Sequence, residues 1–223
     1  MANYTYLLAV LLLISLWIIF FLSRKDLQRV MLTISIIVLF FGLFLQYFFW
    51  TKDWWHPKTI TGTILGIEDF LGLFGIGGIA SVIYKVLFRK RLYYKNPYRP
   101  AHLYAILFIF FLAFHIFLFF AVELHSSIIW LITTSVLIVF IYLKRPDLIT
   151  NSLTSGILMV LLGIIGYKII DLYQLGFLYD WFRFDKLSGI VIFGVILEDI
   201  LWFMTFGMLI GPLYEFLQGA KLK

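Results

Sequence analysis

Seven apolar runs, each long enough to cross a lipid bilayer, dominate this sequence. Because lipid offers backbone groups no hydrogen-bond partner, runs of this length are expected to be helices. Of the 223 residues, 63% are hydrophobic and only 13% are charged, against roughly 25% charged in a soluble domain. The sequence therefore predicts an all-α fold, a polytopic membrane helix bundle with seven transmembrane helices. The runs lie at about 4–22, 30–49, 62–88, 101–121, 127–143, 152–175 and 189–213.

The charges of the loops predict how the bundle is oriented. Twelve Lys and Arg residues, Lys95 and Arg99 among them, lie in the odd-numbered loops and the C-terminal tail, and four lie in the even-numbered loops. Since positively charged loops stay in the cytoplasm, we expect a multi-pass protein of the cell membrane with its N-terminus outside and its C-terminus cytoplasmic. Loop charge also accounts for the net charge of +6, so no nucleic acid partner is expected. The absence of cysteine excludes thiolate catalysis and cysteine-bound metal.

Two acidic dipeptides, Glu68-Asp69 and Glu198-Asp199, lie in long apolar runs. A carboxyl group in hydrocarbon costs roughly 3 kcal/mol or more, so two matched dipeptides favour a functional site. Apolar surroundings favour the protonated form of a carboxyl group, and a protonated acid with a neighbouring base can catalyse proton transfer. The alternative is that these acids only hold helices together, through hydrogen bonds to each other, to Gln46 or to His115. The acids and histidines lack the spacing of a metal motif, so no metal is expected.

Paired motifs predict an internal repeat. An Arg-x-Asp-Leu motif follows the first helix at 24–27 and the fifth helix at 145–148. Asp53-Trp54 and Asp180-Trp181 stand at the same distance before a glycine. If one linking helix separates the two halves, they are parallel, and their acidic dipeptides converge near one axis. The expected units are a three-helix repeat at 1–92, a linking helix at 93–126 and a second three-helix repeat at 127–223.

Two segments resemble the membrane-type lycopene cyclases, which are heterodimeric or fused carotenoid enzymes of some bacteria, archaea and fungi. The segments run from Trp50 to Phe74 and from Trp181 to Phe203. In each, a Trp-containing loop precedes an acidic motif that aromatic residues follow. Gly66 and Ile196 stand where the family has proline, and each dipeptide has aspartate where the family usually has a second glutamate. The chain is similar to a divergent member of that family.

The resemblance implies an isomerase that needs no redox cofactor. An acid would protonate the end of a linear carotenoid or isoprenoid polyene, the neighbouring double bond would close a ring on the cation, and a base would remove a proton. The implied catalytic residues are Glu68, Glu198, Asp69 and Asp199, of which the glutamates are expected to matter more because they match the family motif. Aromatic faces stabilise cations, and the expected substrate-binding residues are Trp54, Trp55, Phe70, Phe74, Trp202 and Phe203.

Two other functions fit the same residues. A non-catalytic membrane protein could bind carotenoid or lipid at the same site, and a proton-coupled carrier could use the acids as a relay. Many carriers have inverted halves, whereas the helix count here gives parallel halves. The expected partners are a lipophilic polyene and membrane lipid, with a homo-oligomer as a further expectation.

Overall fold

The computed structural model describes the backbone of residues 2–94 and 101–223 and the side chains of residues 4–93 and 109–223. Lys95 and Arg99, two of the twelve basic residues counted above, lie outside the described residues. The protein is a helical bundle, as the sequence predicts. Its helices are α1 (Ala2–Ser23), α2 (Gln28–Leu45), α3 (Thr51–Asp53), α4 (Ile67–Leu87), α5 (Ala101–Phe120), α6 (Ser126–Lys144), α7 (Ile149–Tyr173), α8 (Phe177–Trp181) and α9 (Leu197–Gln218).

Six helical stretches in the described part of the chain are long and apolar enough to cross a membrane. The fourth predicted span coincides with α5, whose described side chains form a shorter apolar stretch, Ile109–Phe120. The structure therefore supports a multi-pass bundle without confirming the count of seven. The six stretches are Tyr4–Ser23, Lys25–Asp53, Ile67–Leu87, Ser126–Lys144, Pro146–Tyr173 and Leu197–Gln218.

The two helices that carry the acidic dipeptides begin later than the apolar runs predict. The run at 62–88 is helical only from Ile67, and the run at 189–213 is helical only from Leu197. Both dipeptides consequently lie in the first turn of a helix and not inside one. At that position the free N–H groups and the helix dipole favour carboxylates.

A small ribbon replaces the expected start of the last helix. Its strands, β2 (Val191–Ile192) and β3 (Val195–Ile196), pair antiparallel. The two residues between them, Phe193 and Gly194, both have positive φ. Two-residue turns of this kind twist in the direction that paired strands require. The ribbon therefore reverses the chain directly before α9.

The second helix changes its winding before it ends. After α2 the chain continues through a π-helical segment, Gln46–Trp50, into α3. A π-helical turn is wider than an α-helical turn and is often found at functional sites. Here it brings Gln46 and Trp50 to the centre of the protein, where both are buried.

The loops before α4 and α9 join at one end of the bundle, which we call the dipeptide end. Trp55 and Phe182 form an antiparallel bridge. The same end holds the turn before α6, where the Ser126 N–H donates to the Asp53 carboxylate (2.9 Å). Two reciprocal backbone hydrogen bonds flank the bridge, from His56 N–H to the Trp181 carbonyl (2.6 Å) and from Arg183 N–H to the Trp54 carbonyl (2.9 Å).

At the opposite end of the bundle, which we call the arginine end, two arginines hydrogen-bond to the segments where α4 and α9 end. Arg24 forms a two-fold contact with Asp26 (2.8 and 2.7 Å), and Arg145 forms the same contact with Asp147 (2.7 Å for both bonds). Bidentate arginine–carboxylate pairs of this kind fix the direction of the remaining donors. Arg24 also donates to the carbonyl groups of Lys85 (2.8 Å) and Lys90 (2.6 Å), near the end of α4. Arg145 likewise donates to the carbonyl groups of Glu215 (3.3 Å) and Ala220 (2.8 Å), near the end of α9. Beside them, β1 (Leu92–Tyr94) pairs antiparallel with β4 (Ala220–Leu222).

Candidate functional site

The glutamate of each dipeptide holds the loop that precedes its helix. Glu68 accepts a hydrogen bond from the Ile60 N–H (2.6 Å), and Glu198 accepts one from the Ser188 N–H (2.7 Å). Both are the second residue of their helix, and side chains of helices tilt toward the helix N-terminus. Glu68 is fully buried and Glu198 is half-buried. Among the described residues, the second carboxyl oxygen of each glutamate has no hydrogen-bond partner.

Asp69 points into the bundle. Its Oδ1 accepts hydrogen bonds from the Tyr6 hydroxyl (2.7 Å) and from the Gln46 side-chain amide. Its Oδ2 accepts the N–H of Gly66 (2.7 Å), which is the residue before α4. The carboxyl group therefore joins α1, the π-helical segment and α4, and it is almost completely buried.

Asp199 joins the start of α9 to the loop before α4 and to α7. Its Oδ1 accepts the indole N–H of Trp54 (2.9 Å), from the loop before α4. Its Oδ2 accepts the hydroxyl of Tyr167 on α7. Because neighbouring helical residues point about 100° apart, the aspartate of each dipeptide reaches side chains of other elements while the glutamate reaches its own loop.

An apolar cavity of about 210 Å³ lies among the residues that hold the two aspartates. Asp199 is itself on the cavity wall, whereas Asp69 lies behind two of the side chains that bind it. The wall residues that donate hydrogen bonds to one of the two aspartates are Tyr6, Gln46, Trp54 and Tyr167. Carboxyl groups beside an apolar pocket, held by a few placed donors, form the kind of site in which small molecules bind and react.

Comparison with known proteins identifies the family. A family model described as lycopene cyclase matches residues 3–87 and 125–217, which is most of the chain.

The chain belongs to the lycopene cyclase family.

The matched segments hold both acidic dipeptides and the loops before them, and they leave out α5. A carotenoid cyclase of this family acts on a lipophilic substrate, which fits the apolar helices and the apolar cavity. Comparisons with curated proteins and with solved structures give no match.

Four of the six aromatic residues predicted for substrate binding line the cavity of this lycopene cyclase family member, and two do not. Phe70 is 45% exposed, because it follows Asp69 by one helical step and is rotated away from the side chains that hold it. Phe74 packs against Trp17 instead (ring centroids 5.1 Å apart). The four that line the cavity are Trp54, Trp55, Trp202 and Phe203.

Of the two side chains expected from the sequence to hydrogen-bond to the acidic dipeptides, Gln46 and His115, only one does so. Gln46 does bind an acid of the dipeptides, Asp69. His115 does not: its ring packs against Phe49 and Phe111, and both ring nitrogens lack a hydrogen-bond partner among the described residues.

Two tyrosines of the site, Tyr6 and Tyr167, were not predicted from the sequence. One signal could have revealed Tyr167. Tyr167 follows Arg145 by 22 positions, just as Gln46 follows Arg24 by 22 positions. The two aspartates are thus held by polar residues at matching positions after the two arginine motifs. No comparable signal marks Tyr6, which stands in a first helix with few other polar residues.

Proposed function

We propose that this protein cyclises one end of a linear carotenoid by acid–base isomerisation in the cavity beside Asp199. The observation that carries the proposal is the position of this carboxyl group on the wall of an apolar cavity within the matched family segments. Protonation of an alkene requires an acid in contact with a hydrocarbon, and few sites in a membrane protein bring these two together.

In the proposed reaction, Asp199 gives its proton to the terminal double bond of the polyene. The O–H bond breaks, a C–H bond forms, and a tertiary cation results. The neighbouring double bond attacks this cation and closes a six-membered ring, which moves the positive charge to a ring carbon. Loss of a proton from the adjacent carbon restores a double bond. No atoms are gained or lost over the sequence, and no electrons are transferred to or from the substrate.

We assign the removal of the last proton to Tyr6 and Asp69. The Tyr6 oxygen lines the cavity and its O–H already donates to Asp69. It can therefore accept a proton from the cation while it passes its own proton to the aspartate. Proton exchange with water at the dipeptide end then restores both aspartates for the next turnover.

The walls of the cavity suit a short-lived cation. Trp55 and Trp181 approach Tyr6 edge-on (5.8 and 5.3 Å between ring centroids), and Trp202 and Phe203 close the side formed by α9. Aromatic faces attract cations. Apolar walls keep out water that would otherwise trap the cation as an alcohol.

Glu68 and Glu198 are assigned a positioning role in this proposal. Each fixes the loop before an acidic helix through a backbone N–H, and neither lines the described cavity. This assignment reverses the sequence-based expectation that the glutamates matter more than the aspartates.

Carotenoid product analysis in a lycopene-accumulating host tests the proposal. Asp199→Asn keeps the size of the side chain and removes the transferable proton, so the cyclised product should fall by about 100-fold or more. Glu198→Gln, one residue away, is the matched control and should keep most of the product. Equal product from Asp199→Asn and the unmodified protein would exclude Asp199 as the acid. An unmodified protein that retains lycopene without converting it would instead be a non-catalytic binder.

We also propose that residues 1–92 and 127–223 are parallel halves, joined by a linking helix in 93–126, with the arginine end in the cytoplasm. The matching contacts of Arg24 and Arg145 support the pairing of the halves. The excess of basic residues in the loops of the arginine end supports the orientation.

A further inference from the structure

A second cavity, of about 640 Å³, adjoins the first. The two share three wall residues, Trp50, Leu73 and Trp202. The described lining of the second cavity comes from α2, α4, α5, α6 and α9, with Trp50 of the π-helical segment, and it includes no charged side chain and no hydroxyl group. The reaction proposed above takes place in the first cavity and leaves this larger space without a function.

Together the two cavities extend along most of α9. The first includes Asp199 and the second reaches Leu217. These residues are 18 positions apart, which corresponds to about 27 Å along a helix. The hydrocarbon core of a bilayer is about 30 Å thick. The two cavities together therefore form an elongated space with Asp199 at one end.

Part of the wall of the second cavity belongs to an exposed part of α2. Two of its wall residues on α2, Ile37 and Phe40, are also exposed on the outside of the bundle, by 39% and 69%. A hydrocarbon dissolved in the bilayer could enter there without crossing a polar surface.

Flat aromatic rings stand where the two cavities meet. Trp202 stacks on Phe206 (centroids 4.6 Å apart) and lies near Trp50 (6.1 Å) and Trp130 (5.9 Å). Aromatic rings make favourable face and edge contacts with other π systems. A conjugated chain that runs from one cavity into the other would pass along these rings.

We infer that the second cavity holds the unreacted remainder of the substrate, which lies along α9 while its reacting end occupies the first cavity. The occupant is a long linear polyene whose far end carries no polar group, because the described lining offers a polar end group no hydrogen-bonding side chain except indole N–H. The assignment of the reacting end rests on the proposed function. The binding of the apolar chain in the second cavity can be measured without turnover.

The test introduces a larger side chain into the second cavity. The control is the same substitution at a position of the same helix that does not line the cavity. Leu137 of α6 lines the cavity, whereas Val139, two residues on, is 53% exposed and does not. Leu137→Trp and Val139→Trp are each combined with Asp199→Asn, so that bound substrate is not consumed. Each protein is purified in detergent from the lycopene-accumulating host, and the lycopene retained per protein is measured after extraction.

Leu137→Trp should reduce the retained lycopene at least ten-fold, and Val139→Trp should leave it unchanged. With Asp199 intact, lycopene can be compared with an acyclic polyene of half its length that has the same end group. Leu137→Trp should reduce the cyclised product from lycopene more than the cyclised product from the shorter polyene. Equal retention by the two Trp variants, or no retention by the parent, would overturn the inference. Cyclisation by the Asp199→Asn protein would contradict the proposed acid and leave the retention result valid.

Discussion

Lys85 on α4 and Glu215 on α9 form an ion pair in which both side chains are completely buried, with 2.6 Å between Nζ and Oε1. The other two donors of the ammonium group reach the carbonyl groups of Ser81 and Gly211. Asn151 of α7 donates to the same carboxyl oxygen (3.2 Å). The ammonium group therefore has an acceptor for each of its three protons, which is the condition under which a buried cation is tolerated.

The ion pair links the two acidic helices at matching positions. Lys85 follows Glu68 by 17 positions, and Glu215 follows Glu198 by 17 positions. Because the loops before the same helices are bridged at Trp55, α4 and α9 are held together at both ends and run in the same direction.

Removal of one member of this pair should destabilise the protein strongly. Lys85→Met leaves Glu215 buried without its cation, and the expected loss is about 3–5 kcal/mol of the free energy of unfolding. The double variant Lys85→Met/Glu215→Leu should recover most of that loss. Denaturant unfolding in detergent micelles measures both. A double variant as unstable as the single one would show that the loss comes from packing and not from an unpaired charge.

Tyr6→Phe tests the proposed proton acceptor. Asp69 keeps its hydrogen bonds from Gln46 and Gly66, so the fold should lose only about 1 kcal/mol, whereas cyclised product should fall about 100-fold. Tyr142→Phe is the matched control. It removes a hydroxyl hydrogen bond to Ser152 (2.8 Å) outside the described lining of the first cavity, and its product yield should be unchanged.

If Tyr6→Phe gives as much cyclised product as Tyr142→Phe, the tyrosine has no part in proton transfer. Initial rates of product formation in membranes, together with thermal unfolding of each variant, separate this outcome from a simple loss of folded protein.

Gly78→Ala should destabilise the packing of α4 against α1 and α2. A Cβ atom at Gly78 would overlap the indole nitrogen of Trp17 and the hydroxyl of Ser35, which are joined by a hydrogen bond of 3.1 Å. Overpacking of this kind costs about 1–3 kcal/mol. Gly72→Ala on the same helix is the control, since its Cβ would come no closer than 3.4 Å to Val10. Similar melting temperatures for the two variants would contradict this account of the packing.

Cysteine labelling tests the proposed orientation. The protein contains no cysteine, so a single one can be introduced at exposed Lys25 of the arginine end or at exposed Lys58 of the dipeptide end. In intact cells an impermeant maleimide should label Lys58→Cys and leave Lys25→Cys unlabelled until the membrane is opened. The reverse pattern would place the arginine end outside the cell.

The class of the fold and the two acidic dipeptides of the candidate site could be predicted from the sequence alone. Continuous apolar runs can satisfy their backbone groups in lipid only as helices, so the bundle follows from local composition. The cost of a carboxyl group in apolar surroundings singled out Glu68-Asp69 and Glu198-Asp199. The motifs around them placed the chain beside the lycopene cyclases, and the family comparison confirms this resemblance.

The assembled bundle determines which acidic side chain reaches the cavity wall, namely Asp199 and not Asp69. That choice depends on where the helices begin, at Ile67 and Leu197, and the apolar runs extend past these residues into loop and ribbon. It also depends on partners far along the chain, such as Trp54 for Asp199 and Tyr6 for Asp69. Hydrophobic periodicity describes one helix at a time and carries no information on which helices meet. Contacts between distant residues appear only when the bundle is assembled.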